Sequence, residues 1–284
     1  MINDKMAKVD WTLNSFMKSP HILVAGTTGA GKSVLMNAML YSMLKPDSCW
    51  FSSPENMPML TLVDTKRVEL KQYIDWGGTQ AWDYDETNIL GDLACVVSSM
   101  EDRYSRMEAR GLKETDEPHW YVVIDELADL VTNKDILACL VKIGRLGRAA
   151  HIHLFCGTQD PSRTTLSAQL MQNFTCRIAL RCKDKIESRQ VLGCEGAEKI
   201  DRYGIGYIDV DGKRGWFDFD RVPEEDIINL VQSVRGAINV SKWMRSKPTL
   251  KERILRSRAK GKALLNQYID PDYMARLRSG HARL

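Results

Sequence analysis

The chain carries Gly26-Thr27-Thr28-Gly29-Ala30-Gly31-Lys32-Ser33, which fits the pattern G-x-x-x-x-G-K-[ST]. An apolar run at residues 21–25 precedes this stretch, and a segment with helical spacing of apolar residues begins at Val34. Glycines let the backbone bend so that successive N–H groups point inward, which makes an anion nest at a helix N-terminus. The order of strand, loop and helix therefore predicts a loop that holds the phosphates of a nucleotide, and a purely structural glycine turn is the alternative.

Two side chains of this loop carry the chemistry. Lys32 is expected to reach the β- and γ-phosphates, and the Ser33 hydroxyl is expected to bind Mg²⁺. The residues expected to contact the nucleotide are Gly26, Thr27, Thr28, Gly29, Ala30, Gly31, Lys32, Ser33 and Val34.

A second predicted strand ends in paired acids. Residues 121–124 are a continuous apolar run, and Asp125 and Glu126 follow it. Parallel central strands have this pattern because both of their faces are covered. Beside a phosphate-binding loop, Asp125 is expected to hold Mg²⁺, and Glu126 is expected to polarise or orient the attacking water. The alternative is a strand-ending turn with two solvated acids.

Two further strands end in polar residues. The run at 151–156 leads to Gln159, which would lie beside the γ-phosphate if that strand neighbours the strand before the phosphate loop. The alternative for Gln159 is a capping side chain in a turn with Pro161. The run at 59–63 leads to Lys66, which either lies near nucleotide or DNA or is a solvated loop lysine.

The rest of the chain alternates between helical and extended patterns. Helices are predicted at 86–110, 133–149, 183–192 and 223–234, a strand at 175–180, and a hairpin at 204–210 and 214–219. This alternation predicts an α/β fold with a mostly parallel central sheet flanked by helices.

Composition limits the class of protein. At 284 residues, of which 44% are hydrophobic, the chain can bury a full core. Its seven cysteines are odd in number and include no C-x-x-C pair, which indicates a reducing compartment and no zinc site. No stretch approaches the roughly 18 apolar residues of a membrane span, and residues 1–20 lack the core of a signal peptide. We expect a soluble, cytoplasmic protein with no membrane segment in this chain.

Charge is distributed unevenly along the sequence. Residues 241–284 hold twelve Lys and Arg against three acidic residues, a net charge of +9, whereas the whole chain carries +3. We therefore divide the chain into a domain at 1–240 and a basic, helical C-terminal tail at 241–284. Trp243, Tyr268 and Tyr273 are interleaved with the cations, so we expect the tail to bind a polyanion without reading its sequence. The alternative is a basic helix whose apolar residues pack on a neighbouring subunit.

Taken together, these motifs resemble the motor domain of the FtsK/SpoIIIE family, from about residue 20 to about residue 206. The resemblance rests on residues 20–29, Asp64-Thr65-Lys66 with Glu69-Leu70, Asp125-Glu126 with Ala128-Asp129-Leu130, Arg148-Ala149-Ala150 with Ile152-His153-Leu154, Thr158-Gln159 with Pro161-Ser162, and Ser188-Arg189. It implies a RecA-like P-loop ATPase core that assembles as a hexameric ring. Such a ring encloses double-stranded DNA and moves along it by hydrolysing ATP, with ATP and Mg²⁺ as the expected cofactors.

The resemblance also implies that each nucleotide lies between two subunits. One subunit would supply the catalytic residues Lys32, Ser33, Asp125, Glu126 and Gln159. The next would supply an arginine finger, and the match at Arg-Ala-Ala favours Arg148, with Arg145 and Arg189 as rivals.

Two positions depart from the family's pattern. Asp160 stands where the family usually has Arg, and His151 stands where it usually has Gly, so we expect the contacts of those loops to differ. The family's membrane-anchoring N-terminal part is absent from this sequence, and a tail of 44 residues is short for its winged-helix module. These features suggest a compact translocase of a mobile element or phage, or a fragment.

Two other classes of motor share this chemistry. A type VII protein-secretion ATPase has the same loop and acid pair but usually carries several ATPase modules in tandem, whereas this chain has one P-loop. The Asp64-Thr65-Lys66 pattern favours a DNA motor over a protein-secretion ATPase. A conjugative coupling protein or phage packaging motor is the other candidate, and sequence alone does not separate it from a chromosome pump.

Overall fold

The computed structural model describes residues 7–9, 19–46, 48, 51, 56–162 and 166–237. Its strands are β1 (Ile22–Ala25), β2 (Met59–Val63), β3 (Thr79–Asp83), β4 (Trp120–Ile124), β5 (Ile152–Thr158), β6 (Cys176–Ala179), β7 (Ile205–Val210) and β8 (Lys213–Asp218). Its α-helices are α1 (Lys32–Leu44), α2 (Glu86–Arg110), α3 (Lys134–Leu146), α4 (Ala168–Met171), α5 (Lys185–Leu192) and α6 (Glu224–Ala237).

The described strands form one eight-stranded sheet in the order β3-β2-β4-β5-β1-β6-β7-β8. Strands β1 to β6 run parallel, and β7 and β8 add an antiparallel hairpin at one side. The central strands β1, β4 and β5 are buried at every position, as expected when helices cover both faces of a parallel sheet. The prediction of an α/β fold with a mostly parallel sheet is confirmed.

Alternate residues of the central strands face two separate cores. Val24 points to the face that α1 and α6 cover, where it packs in one cluster with Leu35 and Val231. Leu23 points to the opposite face, which α2 and α3 cover. Because all the central strands run in the same direction, the polar residues that follow them meet at one edge of the sheet, the carboxyl edge.

Helix α3 ends at Leu146 rather than at residue 149 as predicted, because the chain turns back into β5. The Ile152 N–H donates to the carbonyl oxygen of Gly147 at 2.9 Å, and this bond closes the turn. His151 completes the turn with a φ of 52°, in the left-handed region that glycine adopts at little cost. The turn thus has a backbone conformation that suits glycine, the residue that the resemblance implies at this position.

The predicted hairpin is present as β7 and β8. Asp211 and Gly212 form its two-residue turn with φ of 49° and 82°, the positive values that suit tight hairpins. Two elements were not predicted. Strand β3, at the edge of the sheet, has the composition Thr-Gln-Ala-Trp-Asp and therefore lacks an apolar run, and α4 is a single turn.

The predicted tail at 241–284 lies outside the described residues, so the division of the chain at residue 240 stays a prediction. Within the described ranges, no helix is long and apolar enough to cross a membrane. The same ranges contain no group of three or more His, Cys, Asp or Glu side chains that could hold a metal ion.

Candidate functional site

The predicted phosphate loop joins β1 to α1 and has the expected backbone shape. Gly29 and Gly31 have positive φ, 75° and 96°, and the Ala30 N–H donates to the Thr27 carbonyl oxygen at 2.9 Å. Gly31 is the N-cap of α1, and no side chain caps this helix. The first amides of α1 therefore have no side-chain acceptor from the cap and are available to an anion.

Lys32 begins α1, and its ammonium group reaches the end of β4. Its Nζ lies 2.5 Å from the carbonyl oxygen of Asp125 and 2.9 Å from Asp125 Oδ1. Glu126 Oε2 is 4.0 Å from the same ammonium group. Because Lys32 is only 6% exposed, its charge is buried with two carboxylates beside it. The phosphate loop and the acid pair are thus in direct contact.

Asp125 keeps one oxygen that could bind a metal ion. Its Oδ2 is buried and has no hydrogen-bond partner among the described residues, whereas Oδ1 accepts from Lys32. A buried anionic oxygen without a donor is the type of ligand that Mg²⁺ takes. The half-buried Ser33 follows Lys32 in the first turn of α1. These two residues fit a Mg²⁺ ion held between the loop and the acid pair.

Gln159 is linked to both the phosphate loop and the acid pair. Its strand β5 neighbours β1, which is the arrangement the prediction required. The Thr28 hydroxyl donates to Gln159 Oε1 at 2.8 Å. The Gln159 N–H donates to both carboxylate oxygens of Glu126, at 2.9 and 3.1 Å. A continuous network therefore runs from the phosphate loop to Glu126.

Asp160, one of the two departures from the family's pattern, orders the turn that follows. Its Oδ1 accepts a hydrogen bond from the Ser162 N–H at 3.0 Å, and its N–H donates to Thr158 Oγ1 at 3.2 Å. The carboxylate therefore has a local structural role, which an arginine could not fill because it has no acceptor.

Lys66 lies at the same edge of the sheet. Its Nζ is 3.8 Å from Glu126 Oε2, and its side chain is 44% exposed. The neighbouring Thr65 hydroxyl donates to Asp129 Oδ2 at 2.9 Å. Lys66 thus lies beside the acid pair and is also an exposed loop lysine, so both alternatives stay open.

Gly157 in β5 is a site residue that the sequence analysis did not identify. A Cβ atom at this position would lie 2.5 Å from the carbonyl oxygen of Asp125, 2.7 Å from Met36 Sδ and 3.0 Å from Lys32 Nζ. Glycine therefore leaves the room that Lys32 needs to reach Asp125. A glycine within an apolar strand was the available signal, because such glycines often mark the close approach of another chain segment.

Two of the three candidate arginines, Arg145 and Arg148, do not lie at the carboxyl edge. Arg148 lies in the turn before β5, whose seven residues at about 3.3 Å each place it roughly 20 Å from Gln159. Arg145 is in the last turn of α3, at the same end of β5. Both side chains are exposed, and neither has an ion pair with another described residue. Arg189 instead pairs with Glu195. Arg148 is therefore too far away to reach the phosphate loop of its own chain.

A cavity of about 490 Å³ adjoins the start of α1. Gly31 and Val34 line it on the side of the phosphate loop, and Tyr203, Phe219 and Arg221 line it on the side of the hairpin. Its volume is in the range of small-molecule sites. The cavity has room for the base and ribose of a nucleotide whose phosphates occupy the loop.

Residues 5–198 match the model of the FtsK/SpoIIIE family, and this match covers the phosphate loop, the acid pair and Gln159. The chain belongs to the FtsK/SpoIIIE family. The resemblance identified from the motifs is thereby confirmed.

Members of the FtsK/SpoIIIE family named DNA translocase FtsK are among the relatives of this chain. The protein of Chlorobaculum tepidum is 36% identical over 206 residues, which cover 64% of this chain and 24% of that protein. The protein of Tropheryma whipplei is 30% identical over 257 residues, which cover 80% of this chain and 33% of that protein. The chain thus spans about a quarter to a third of the length of these curated relatives.

Solved structures support the P-loop ATPase fold of the FtsK/SpoIIIE family. The pCW3 conjugation coupling protein TcpA, in a monomer form with ATPγS, has a TM-score of 0.66 and 25% identity, covering 78% of this chain and 66% of that chain. The cytoplasmic domain of the type VII secretion ATPase EccC from Thermomonospora curvata has a TM-score of 0.62 and 22% identity, covering 76% of this chain and 28% of that chain. The similarity to EccC, at 22% identity, shows a shared fold alone.

Proposed function

We propose that this chain hydrolyses ATP and uses the energy to move double-stranded DNA. The name of its relatives describes them as DNA translocases. The observation that carries this proposal is the network joining Lys32, Asp125, Glu126 and Gln159 at one edge of the sheet. Family membership supplies the link from that network to DNA.

Lys32 acts first, by exchanging one anionic partner for another. In the structure its ammonium group is bound to Asp125. Phosphates entering the nest at residues 26–33 offer Lys32 a stronger set of oxygens, and its release leaves both oxygens of Asp125 available. When Mg²⁺ is bound, it offsets the charge of the phosphates, and Asp125 and Ser33 are the residues that would hold it.

Glu126 is the proposed general base. Glu126 is only 4% exposed and its carboxylate is held by the Gln159 N–H, so its orientation is fixed. A fixed, anionic carboxylate next to the phosphate loop can accept a proton from an attacking water. The Gln159 side chain, held by Thr28, lies where it can respond to the γ-phosphate.

Arg148 is the proposed finger in trans. It is exposed, unpaired among the described residues and roughly 20 Å from its own Gln159 along β5, so a role in hydrolysis requires a neighbouring copy of the chain. A closed ring, hexameric in our proposal, gives every subunit such a neighbour.

Conjugative DNA transfer is a second candidate activity, favoured by the TM-score of 0.66 to a conjugation coupling protein. The same catalytic residues would serve it, because only the cargo and the partners differ.

The proposal is tested by measuring phosphate release from the purified full chain with and without long duplex DNA. We expect ATP turnover that duplex DNA stimulates, and displacement of a third strand from a DNA triplex. Glu126→Gln should bind ATP with unchanged affinity and lose turnover by roughly 10²- to 10⁴-fold, whereas the exposed control Glu108→Gln should behave as wild type. Turnover indifferent to DNA would argue for a protein cargo, and turnover retained in Glu126→Gln would remove this residue from the mechanism.

A further inference from the structure

The loops that follow β2 and β4 are joined by a hydrogen bond. The two strands pair in parallel with Val63 opposite Ile124, so the residues after them are neighbours as well. Thr65 fastens the first loop to the second through its hydrogen bond to Asp129. Asp64, which is fully buried, closes the first loop on itself by accepting the Leu70 N–H at 3.1 Å. Residues 64–70 are therefore a fixed loop, which we call the β2 loop.

The shape of the β2 loop directs Lys66 toward the acid pair. Arg67 has a φ of 61° and stacks its guanidinium group on the Tyr84 ring at 3.7 Å. Val68 is 65% exposed and points away from the core. Between the anchored Thr65 and the outward Val68, the ammonium group of Lys66 lies 3.8 Å from Glu126 Oε2.

The Glu126 carboxylate consequently has neighbours from the end of β5 and from the β2 loop. The Gln159 N–H, at the end of β5, donates to both of its oxygens, and Lys66 of the β2 loop lies beside one of them. Among the residues that the structure describes, the other cation within 4.0 Å is Lys32, but it binds Asp125 and is expected to engage the phosphates. Lys66 is thus the cation that can stay with Glu126 while nucleotide is bound.

We propose that Lys66 is a positioning residue for Glu126. Its ammonium group holds the carboxylate against the Gln159 amide, so that the free lone pairs of the carboxylate face the attacking water. The hydrogen bond from Thr65 to Asp129 holds the β2 loop, and with it Lys66, in place. The inference deepens the proposed ATPase function and rests on it.

The test compares four variants of the full chain. Lys66→Met removes the charge and keeps the length of the side chain, Lys66→Arg restores a cation, and Thr65→Val removes the hydroxyl without changing its shape. Lys71→Met is the matched control, because Lys71 is exposed nearby and has no ion pair with another described residue. Each variant is measured for kcat, KM for ATP, Tm and the hydrogen exchange rate of the Gln159 amide.

We expect Lys66→Met to lower kcat about tenfold, less than loss of the base itself, which costs roughly 10²- to 10⁴-fold. KM for ATP and Tm should stay at the values of Lys71→Met, and the Gln159 amide should exchange faster because its acceptor is less ordered. Lys66→Arg should recover most of kcat, and Thr65→Val should fall between wild type and Lys66→Met.

Unchanged kcat and unchanged Gln159 exchange in Lys66→Met would overturn the proposal, and so would a loss of Tm that accounts for the fall in kcat. If the wild-type chain shows no turnover, the proposed function fails. The exchange rate of the Gln159 amide then decides the role of Lys66 by itself, because it requires no catalysis.

Discussion

The site has no room for a side chain larger than hydrogen at Gly157. Alanine at this position would place its Cβ 2.5 Å from the Asp125 carbonyl oxygen and 3.0 Å from Lys32 Nζ. We expect Gly157→Ala to lower stability by about 1–3 kcal/mol, as overpacking does, and to weaken ATP binding because Lys32 is displaced. Thermal unfolding and titration with a fluorescent ATP analogue measure the two effects. Wild-type affinity for the analogue would show that Lys32 tolerates the added methyl group.

At the scale of residues, the sequence predicts the functional residues whose type and spacing form a known motif. Lys32 and Asp125 follow this rule, because their type and spacing are set by the phosphates and the metal ion they would serve. Gly157 does not follow it, because its importance depends on contacts with Lys32 and Asp125, which are distant in sequence. The Asp64-Thr65-Lys66 pattern pointed to Lys66, but its contact with Glu126 is set by the fold. Such contacts become visible only when the order and register of the strands are known.

The position of Arg148 at the start of β5 leads to a prediction at the scale of elements. Arg148→Ala should lose turnover by roughly 10³- to 10⁵-fold, the usual effect of an arginine finger, whereas Arg145→Ala should keep it. Mixing inactive Arg148→Ala with inactive Glu126→Gln should restore part of the activity, because some interfaces then combine an intact Glu126 with an intact Arg148. Phosphate release is the readout. No recovery on mixing, in a sample shown to exchange subunits, would contradict the role in trans.

The amino edge of the sheet carries a stack of histidines. The His119 and His151 rings lie 4.2 Å apart, and His119 Nδ1 is 2.8 Å from His153 Nε2. Burial lowers the pKa of His21 to about 4 and, together with the neighbouring His151 and Arg103, that of His119 to about 3. Burial also holds the pKa of His153 well below its usual value. These three imidazoles are therefore neutral in the folded protein at pH 7.

The three neutral histidines, His21, His119 and His153, should make the free energy of unfolding depend on pH. Between pH 6.5 and the lowered pKa values, the unfolded chain binds protons that the folded chain does not. Stability is then fully present above pH 6.5 and falls with pH, by up to about 1.4 kcal/mol per pH unit for each histidine. Urea unfolding at pH 7.0 and 5.5 measures the difference, and His119→Phe should reduce it by removing one titrating group. Equal stability at both pH values would show that the histidines are protonated without cost.

Helices and strands whose own sequence has a complete apolar run or a clear helical period were predicted well, and those without such a pattern were not. The strands β4 and β5 are apolar along their whole length, and α2 has a clear helical period, so each was found. Strand β3 gave no signal because only its pairing with β2, and not its own sequence, makes it a strand. Helix α3 was predicted too long because its end is set by the return of the chain into β5.

At the scale of the whole molecule, the basic tail leads to a prediction that is independent of the ATP site. Deleting residues 241–284, with their net charge of +9, should weaken DNA binding equally on all sequences. The slope of the logarithm of the DNA-binding constant against the logarithm of salt concentration should become shallower by about 0.9 for each phosphate that the shortened chain no longer neutralises. ATP binding at Lys32 should stay unchanged. Fluorescence anisotropy over a range of salt concentrations measures the slope. An unchanged slope with loss of assembly would identify the tail as an oligomerisation element.

The bond between Lys32 and Asp125 competes with the bonds that Lys32 would make to a nucleotide. Because Lys32 must give up this bond to reach the phosphates, the affinity for ATP is the difference between two sets of ionic contacts rather than the sum of one. The same bond favours release of the nucleotide, because Lys32 regains Asp125 as its partner. A stronger bond between Lys32 and Asp125 would therefore weaken nucleotide binding, and a weaker bond would tighten it.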